Sequence, residues 1–380
     1  MQLIKISLFC LIAQFAWGQQ KGEYGLNPVQ VGESVGEFEI SDMPRVRSQD
    51  SLGICYSFAA ATLLDRQTCV DNPDKIKKCS EMPDNFRVSP IDMARFASMP
   101  EEGKSRDVRD NYSGISESGK LDLTLINALE AGSIASEACA PFYQIVANNP
   151  DPVKREEIER NFWQRLRHLY EKSKAKPGCS DCEIETATAI DNFRKDFALK
   201  STNEEILRAF GQDTFAKFLD KALIPEDCNF AGLAETNPKY KVKIYPPADL
   251  PRKPGKQYDD SYEKLIGQIK TILKEKKVPM GLNFCAQQGP LTFKSLKECS
   301  PKPDETSSVT GFGHSLVISG YRKICKTKNP ENCYEALKVE NSWGQQWQDD
   351  NNKGWVDAKE LLKRSFFAKA SLTWLEKRAQ

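Results

Sequence analysis

Gln49-Asp50-Ser51-Leu52-Gly53-Ile54-Cys55-Tyr56-Ser57-Phe58-Ala59 brings a cysteine to the threshold of the first segment with helical spacing in the chain. Phe58, Ala61, Thr62 and Leu64 to Asp65 recur on one face and Gly53 stands just before them, so a helix is predicted over 55–66. Cys55 then occupies the first turn, where the positive end of the helix dipole favours thiolate and lowers the thiol pKa. Read without its surroundings, the same residue is equally a structural cysteine or a disulfide partner. The rest of the chain has to supply a base.

The choice of base is narrow, because the 380 residues contain only two histidines, His168 and His314. That number excludes a multi-histidine metal centre. His168 falls off the apolar stripe of its predicted helix and reads as a surface residue. His314, in Gly311-Phe312-Gly313-His314-Ser315, opens a predicted strand, and Asn341, in Glu340-Asn341-Ser342-Trp343-Gly344, ends the next one. A strand edge facing a helix N-terminus would bring imidazole to thiol. Cys, His and Asn would then be nucleophile, base and orienting group of a triad. The alternative for His314 is an internal, hydrogen-bonded residue.

The texture of the chain changes twice. Its first third reads as helical: after 55–66, Ser89-Pro90 opens a second helix through Ile91, Ala94 and Phe96, and a third spans Leu121 to Ala131, ending at Gly132. Residues 148–256 are densely charged with helical spacing in Ile158, Phe162, Leu166 and Leu169, and again in Ile190, Phe193 and Phe197. Thr202 with Glu205 forms a capping-box pattern ahead of Ile206, Leu207 and Phe210. This block closes in a loop holding Pro225, Pro238, Pro246, Pro247, Pro251 and Pro254. Beyond a helix through Leu265, Ile269 and Leu273, the runs Val278 to Phe284, His314 to Tyr321 and Tyr334 to Glu340 have the composition of strands. A helical front and a strand-rich back imply an α+β protein with a cleft between its layers.

Residues 1–18, MQLIKISLFCLIAQFAWG, have the basic start, apolar run and small residues of a secretory signal, so export to a secreted or periplasmic location is expected. Without them, 53 basic side chains face 53 acidic ones, and no net field favours nucleic acid or an anionic membrane. No second run reaches spanning length, so no membrane anchor is expected in the mature chain. Export favours disulfides, and the eleven cysteines left after position 18 are an odd number, which points to one free thiol. Local pairs suggested by spacing are Cys69 with Cys79, Cys285 with Cys299, and Cys325 with Cys333 across a turn-rich loop. Cys179-Ser180-Asp181-Cys182 has the spacing of a zinc or redox pair, but a zinc site needs four ligands and only Cys228 and His168 lie near in sequence. Structural disulfides are the reading adopted there, with no metal and no cofactor.

These residues resemble the papain-like cysteine peptidases. Gln49 lies six residues before Cys55, as that family's oxyanion-hole glutamine precedes its nucleophile, and Gly53, Cys55 and Tyr56 fit the cysteine signature. Gly313-His314-Ser315 leading into 316–321 is similar to the histidine strand, and Asn341-Ser342-Trp343-Gly344 with Trp347 to the asparagine motif. Val88-Ser89-Pro90 and the run from Ser118-Gly119 to Pro141-Phe142-Tyr143 match weaker segments. The likeness covers about 30–145 and 260–375, four motifs in the family's order. His314 follows Cys55 by 259 residues, against roughly 130 to 150 in the family. The excess equals the size of the charged block, which therefore reads as an insertion.

The resemblance implies a two-lobed α+β fold with a helical left lobe and an antiparallel β right lobe. Its expected divisions are a signal at 1–18, the helical lobe at 19–147, a helical insertion and Pro-rich loop at 148–256, and the β-rich lobe at 257–380. It further implies peptide hydrolysis through a thioester acyl-enzyme, with Cys55 as thiolate paired to His314 imidazolium and Asn341 holding the ring under the cover of Trp343. Gln49 and the Cys55 N–H would stabilise the oxyanion, and Ser118-Gly119 would line the substrate backbone. Three positions depart from the pattern, none of them a catalytic group: Leu52 stands where many members have a disulfide cysteine, Ile54 replaces a small residue beside the nucleophile, with room to alter the cleft, and Ser118 replaces a glycine. No inhibitory pro-region is recognisable between Gln19 and Gln49. The substrate is then a peptide or protein, and the insertion is either a fixed lid on the cleft, a surface for a protein partner or an external decoration. Two other functions fit the same residues: a catalytically silent binding protein and a thiol acyltransferase.

Overall fold

The computed structural model describes residues 26, 33–49, 52–142, 166–174, 188, 190–191, 194, 199–228, 239–245, 262–287, 311–325, 333–365 and 372–378. Helix α1 (Cys55–Asp71) begins at the expected residue and runs one turn further than its apolar stripe suggests. The reason is its position. Every residue from Cys55 to Ala61 is buried, so the helix is enclosed on all sides rather than on one face. Helix α2 (Pro90–Arg95) starts where Pro occupies the first turn and the Ser89 hydroxyl accepts the Asp92 N–H, at 3.3 Å. Helix α3 (Leu121–Ala131) stops at Gly132, whose φ of 67° is a left-handed cap.

The second layer is an antiparallel sheet. Its strands are β1 (Glu33–Glu39), β2 (Tyr240–Tyr245), β3 (Met280–Gln287), β4 (Gly311–Cys325), β5 (Cys333–Glu340), β6 (Trp355–Asp357) and β7 (Leu372–Lys377). They lie in the order β2-β7-β3-β4-β5-β6, with β1 also pairing β4. The first half of β4 pairs β3 from Gly311 to Ile318, whereas β5 joins its other edge only from Val317 onward. Residues 311–316 therefore keep one edge free of the β5 ladder. Helix α1 packs against this strand and against β3, and one continuous core joins both layers. The fold is α+β, a helical lobe against an antiparallel sheet, as expected.

Between α3 and β2 lie a helical stretch at 166–174, α4 (Asn203–Ala209) and α5 (Phe215–Leu223). The capping box read from Thr202 and Glu205 forms in both directions. Buried Leu166, Ile190, Ile206 and Phe218 belong to the main core; Ile158, Phe162, Phe193 and Phe197 lie outside the described residues. Strand β2 corrects one expectation, because 240–245 was read as part of a Pro-rich loop and instead extends the sheet beside β7. Lys241-Val242-Lys243-Ile244 carries the period-two alternation of a strand, a signal masked by the surrounding prolines.

Disulfides Cys69–Cys79 and Cys325–Cys333 form as spacing suggested. Cys139–Cys228 was not foreseen; it joins the helical lobe to the end of the 199–228 segment and removes Cys228 from any zinc set. Cys285 is disulfide-bonded, while its suggested partner Cys299, and Cys179 and Cys182, lie outside the described residues, as do residues 1–18. Among the described residues no helix is long and apolar enough to cross a membrane.

Candidate active site

Cys55 is the one free cysteine among the described residues. It opens α1, whose N-cap, Ile54, offers no side-chain hydrogen bond, while the Ser57 N–H donates to the Ile54 carbonyl at 2.9 Å. Its thiol donates to the Gly313 carbonyl across the layers, Sγ to O 3.9 Å. The free edge of β4 is thus the place where helix and strand meet.

His314 is the next residue of that strand. The β3–β4 register sets it opposite Phe284, and the two rings meet edge-on at 5.4 Å. Trp343 covers the ring's other side at 5.0 Å with a 31° tilt, and is itself backed by Trp347. His314 Nε2 and Asn341 Oδ1 are 2.8 Å apart in a buried hydrogen bond. Since the amide oxygen only accepts, Nε2 carries the proton and Nδ1 is the basic nitrogen. Trp343 thus lies against the ring that makes this bond.

Gln49 is held beside them from both ends. Its N–H donates to the Ser342 carbonyl at 2.8 Å, the Ser342 hydroxyl donates to its Oε1, and its Nε2 donates to the Leu52 carbonyl at 3.1 Å. The side-chain amide carries a second N–H besides the one given to Leu52. Ser342 was not singled out from sequence; its place between Asn341 and Trp343 was the available signal. Ser315, whose hydroxyl donates to Asn283 Oδ1 at 2.7 Å, was also missed.

The electrostatics differ from the expected ion pair. Burial pushes the Cys55 thiol up to about 11, overcoming the N–H groups of Ser315, Tyr56 and Cys55 and the Ser315 hydroxyl, which all favour thiolate. Burial also pushes His314 down to about 4, against the Asn341 bond that favours imidazolium. Cys55 is 8% exposed and His314 2%. Solvation lost by the charged forms outweighs the helix dipole. At neutral pH burial therefore favours the thiol and the neutral imidazole as the resting forms.

Two further expectations are corrected or refined. Ile54 is fully buried in the core and does not line the cleft. Leu52, where a family disulfide would be, is likewise a core residue. Ser118 and Gly119 are exposed and border α1, for a Cβ on Gly119 would lie 2.6 Å from the Tyr56 ring. The Tyr56 hydroxyl donates to the Ser116 carbonyl at 2.6 Å. Among the described residues the single cluster with metal-ligand atoms is Asp42, Cys69 and Cys79, whose sulfurs are bonded to each other and offer no thiolates. His168 is exposed and takes no part in the site.

No protein-family model matches the chain, and no curated protein matches it either. Among solved structures it is similar to xylellain, a cysteine protease from Xylella fastidiosa, at 13% identity over 95% of this chain and 98% of that one, with a TM-score of 0.42. It is also similar to SERA5E from Plasmodium falciparum, at 13% identity over 89% of this chain and 91% of that one, with a TM-score of 0.38.

Proposed function

We propose that the chain is an exported, papain-like cysteine peptidase that hydrolyses peptide bonds with Cys55, His314 and Asn341. The observation that carries this reading is the buried 2.8 Å bond from His314 to Asn341 on a strand whose preceding carbonyl holds the thiol of a helix-opening cysteine. A histidine serving only the core has no need of an amide that fixes its tautomer one residue beyond a carbonyl that holds a free thiol.

In the reaction Sγ attacks the substrate carbonyl carbon while His314 Nδ1 takes the thiol proton. The tetrahedral oxyanion accepts from the second N–H of the Gln49 amide and the Cys55 N–H, a type of contact worth roughly 3 to 4 kcal/mol in acyl transfer. Collapse breaks the C–N bond as His314 returns the proton to the leaving amine, giving a thioester. Water, deprotonated by His314, attacks that thioester, and the acid leaves with the thiol restored. The expected Ser118-Gly119 wall would hold the substrate backbone. Disulfides at Cys69–Cys79, Cys139–Cys228 and Cys325–Cys333 support an oxidising location, secreted or periplasmic.

The deep burial of both groups favours one second reading, a silent binding protein of the same architecture. Digestion of a peptide library by the mature chain separates them. Cleavage lost in Cys55→Ala supports the peptidase; a folded chain that binds peptides without cleaving any supports the binding protein. Adding an amine acceptor reveals transfer as against hydrolysis.

A further inference from the structure

Residues 114–119 are held between two parts of the molecule, and every step of that grip is a short contact. On the nucleophile's side, the Tyr56 hydroxyl takes the Ser116 carbonyl, a Cβ on Gly53 would lie 2.6 Å from the Glu117 carbonyl oxygen, and Gly119 presses on the Tyr56 ring. On the opposite side stand the helical stretch at 166–174 and α5. Gly114, at φ +95°, approaches α5 so closely that a Cβ would lie 2.5 Å from Ala216 O and 2.7 Å from Lys217 N, both backbone atoms. The Ile115 N–H donates to the Ala216 carbonyl at 3.1 Å. Arg167, stacked over Phe215 at 4.3 Å, pairs with Glu117 at 2.7 Å.

The segment that makes these contacts is itself fixed. Arg95 of α2 and Asp220 of α5 form a buried ion pair at 2.5 Å. Breaking one partner of such a pair strands the other charge in the interior. Cys139–Cys228 closes the far end, and Phe218 lies in the common core. A lid hinged over the cleft would not share its core or depend on a glycine at its contact point. A decoration would not touch the substrate wall at all.

From this we infer that the segment is a buttress of the substrate wall, with Gly114 and Arg167 as positioning residues: they set where Ser116 to Gly119 stand relative to Cys55, and so how well a peptide backbone is received. The inference rests on the reading of Cys55 as nucleophile. It adds that a residue of the insertion governs peptide recognition without touching the reacting atoms.

Labelling of Cys55 in the mature chain tests it, using a peptidyl epoxide, which must lie along the wall, and iodoacetamide, which need not. In Gly114→Ala the epoxide rate should fall about ten-fold, the scale of loss caused by sub-ångström misplacement of a reactant, with the iodoacetamide rate within about two-fold of the unaltered chain. In Arg167→Ala, an exposed change that spares the core, the rate ratio should fall roughly two- to five-fold. An unchanged ratio in folded variants, whatever their melting temperatures, overturns the buttress; should Gly114→Ala not fold, Arg167→Ala decides alone. If iodoacetamide labelling of the unaltered chain does not depend on His314, the reading of the site fails first and the inference falls with it.

Discussion

Cys55 and His314 are each buried as neutral groups, and that sets how the site must work. The thiol pushed up to about 11 and the imidazole pushed down to about 4 leave no ion pair at neutral pH. The thiolate's ultraviolet absorbance, taken as the difference between the unaltered chain and Cys55→Ser, should therefore appear only as pH approaches 11; a step near pH 4 would mean a resting thiolate–imidazolium pair. The sign for stability follows from linkage. His314 is depressed in the folded state, so its burial contributes stability that is present above the unfolded value of 6.5 and is lost as pH falls toward 4. At pH 4, His314→Phe should remove on the order of 3 kcal/mol of that acid sensitivity, measured by denaturant melts at pH 4 and 7. The identities of these residues were legible from sequence, since a helix start, a strand start and a strand end are local signals. Their ionisation was not, because burial is decided by what the rest of the chain packs around them. Ile54 makes the same point: its size was plain, its direction into the core was not.

At the scale of elements, α1 and the 114–119 turn form one unit. Tyr56 stands directly after Cys55 and leaves no room for a side chain at Gly119, where a Cβ would meet its ring at 2.6 Å and Ala97 Cβ at 2.8 Å. Gly119→Ala must move a buried aromatic or the wall, an overpacking that costs about 1 to 3 kcal/mol. A lower melting temperature with a higher KM for peptides is the expected result; a variant with unaltered KM would separate this turn from substrate binding. Element boundaries were read well where a cap marks them, as at Ser89, Thr202 and Gly132. They were missed where prolines drowned the alternation of 240–245, and the turn at Gly114 was invisible because its left-handed backbone answers to α5, a hundred residues away.

The whole molecule is tied together by buried charge as well as by its core. Arg47, two residues before Gln49, binds Asp65 of α1 at 2.7 Å and Glu137 at 2.8 Å, and Arg87 approaches Asp65 at 3.5 Å. Burial alone would lower Arg47, but Asp65 and Glu137 outweigh it and hold it above its usual range. Asp65→Ala would leave two guanidinium groups facing each other in the interior and should cost about 3 to 5 kcal/mol, read by denaturant unfolding. Because Arg47 also accepts the Gly344 N–H through its carbonyl at 3.1 Å, labelling of Cys55 should slow in the same variant. The α+β division was legible as a change of texture along the chain. This network and the Cys139–Cys228 bridge were not, since they join residues far apart in sequence. The most direct measurement is mass mapping of iodoacetamide adducts on the mature chain and on His314→Ala at neutral pH. The expected result is an adduct on Cys55 that is lost with His314. A folded chain with Cys55 unlabelled, or labelled equally fast without His314, would contradict the proposed nucleophile and base.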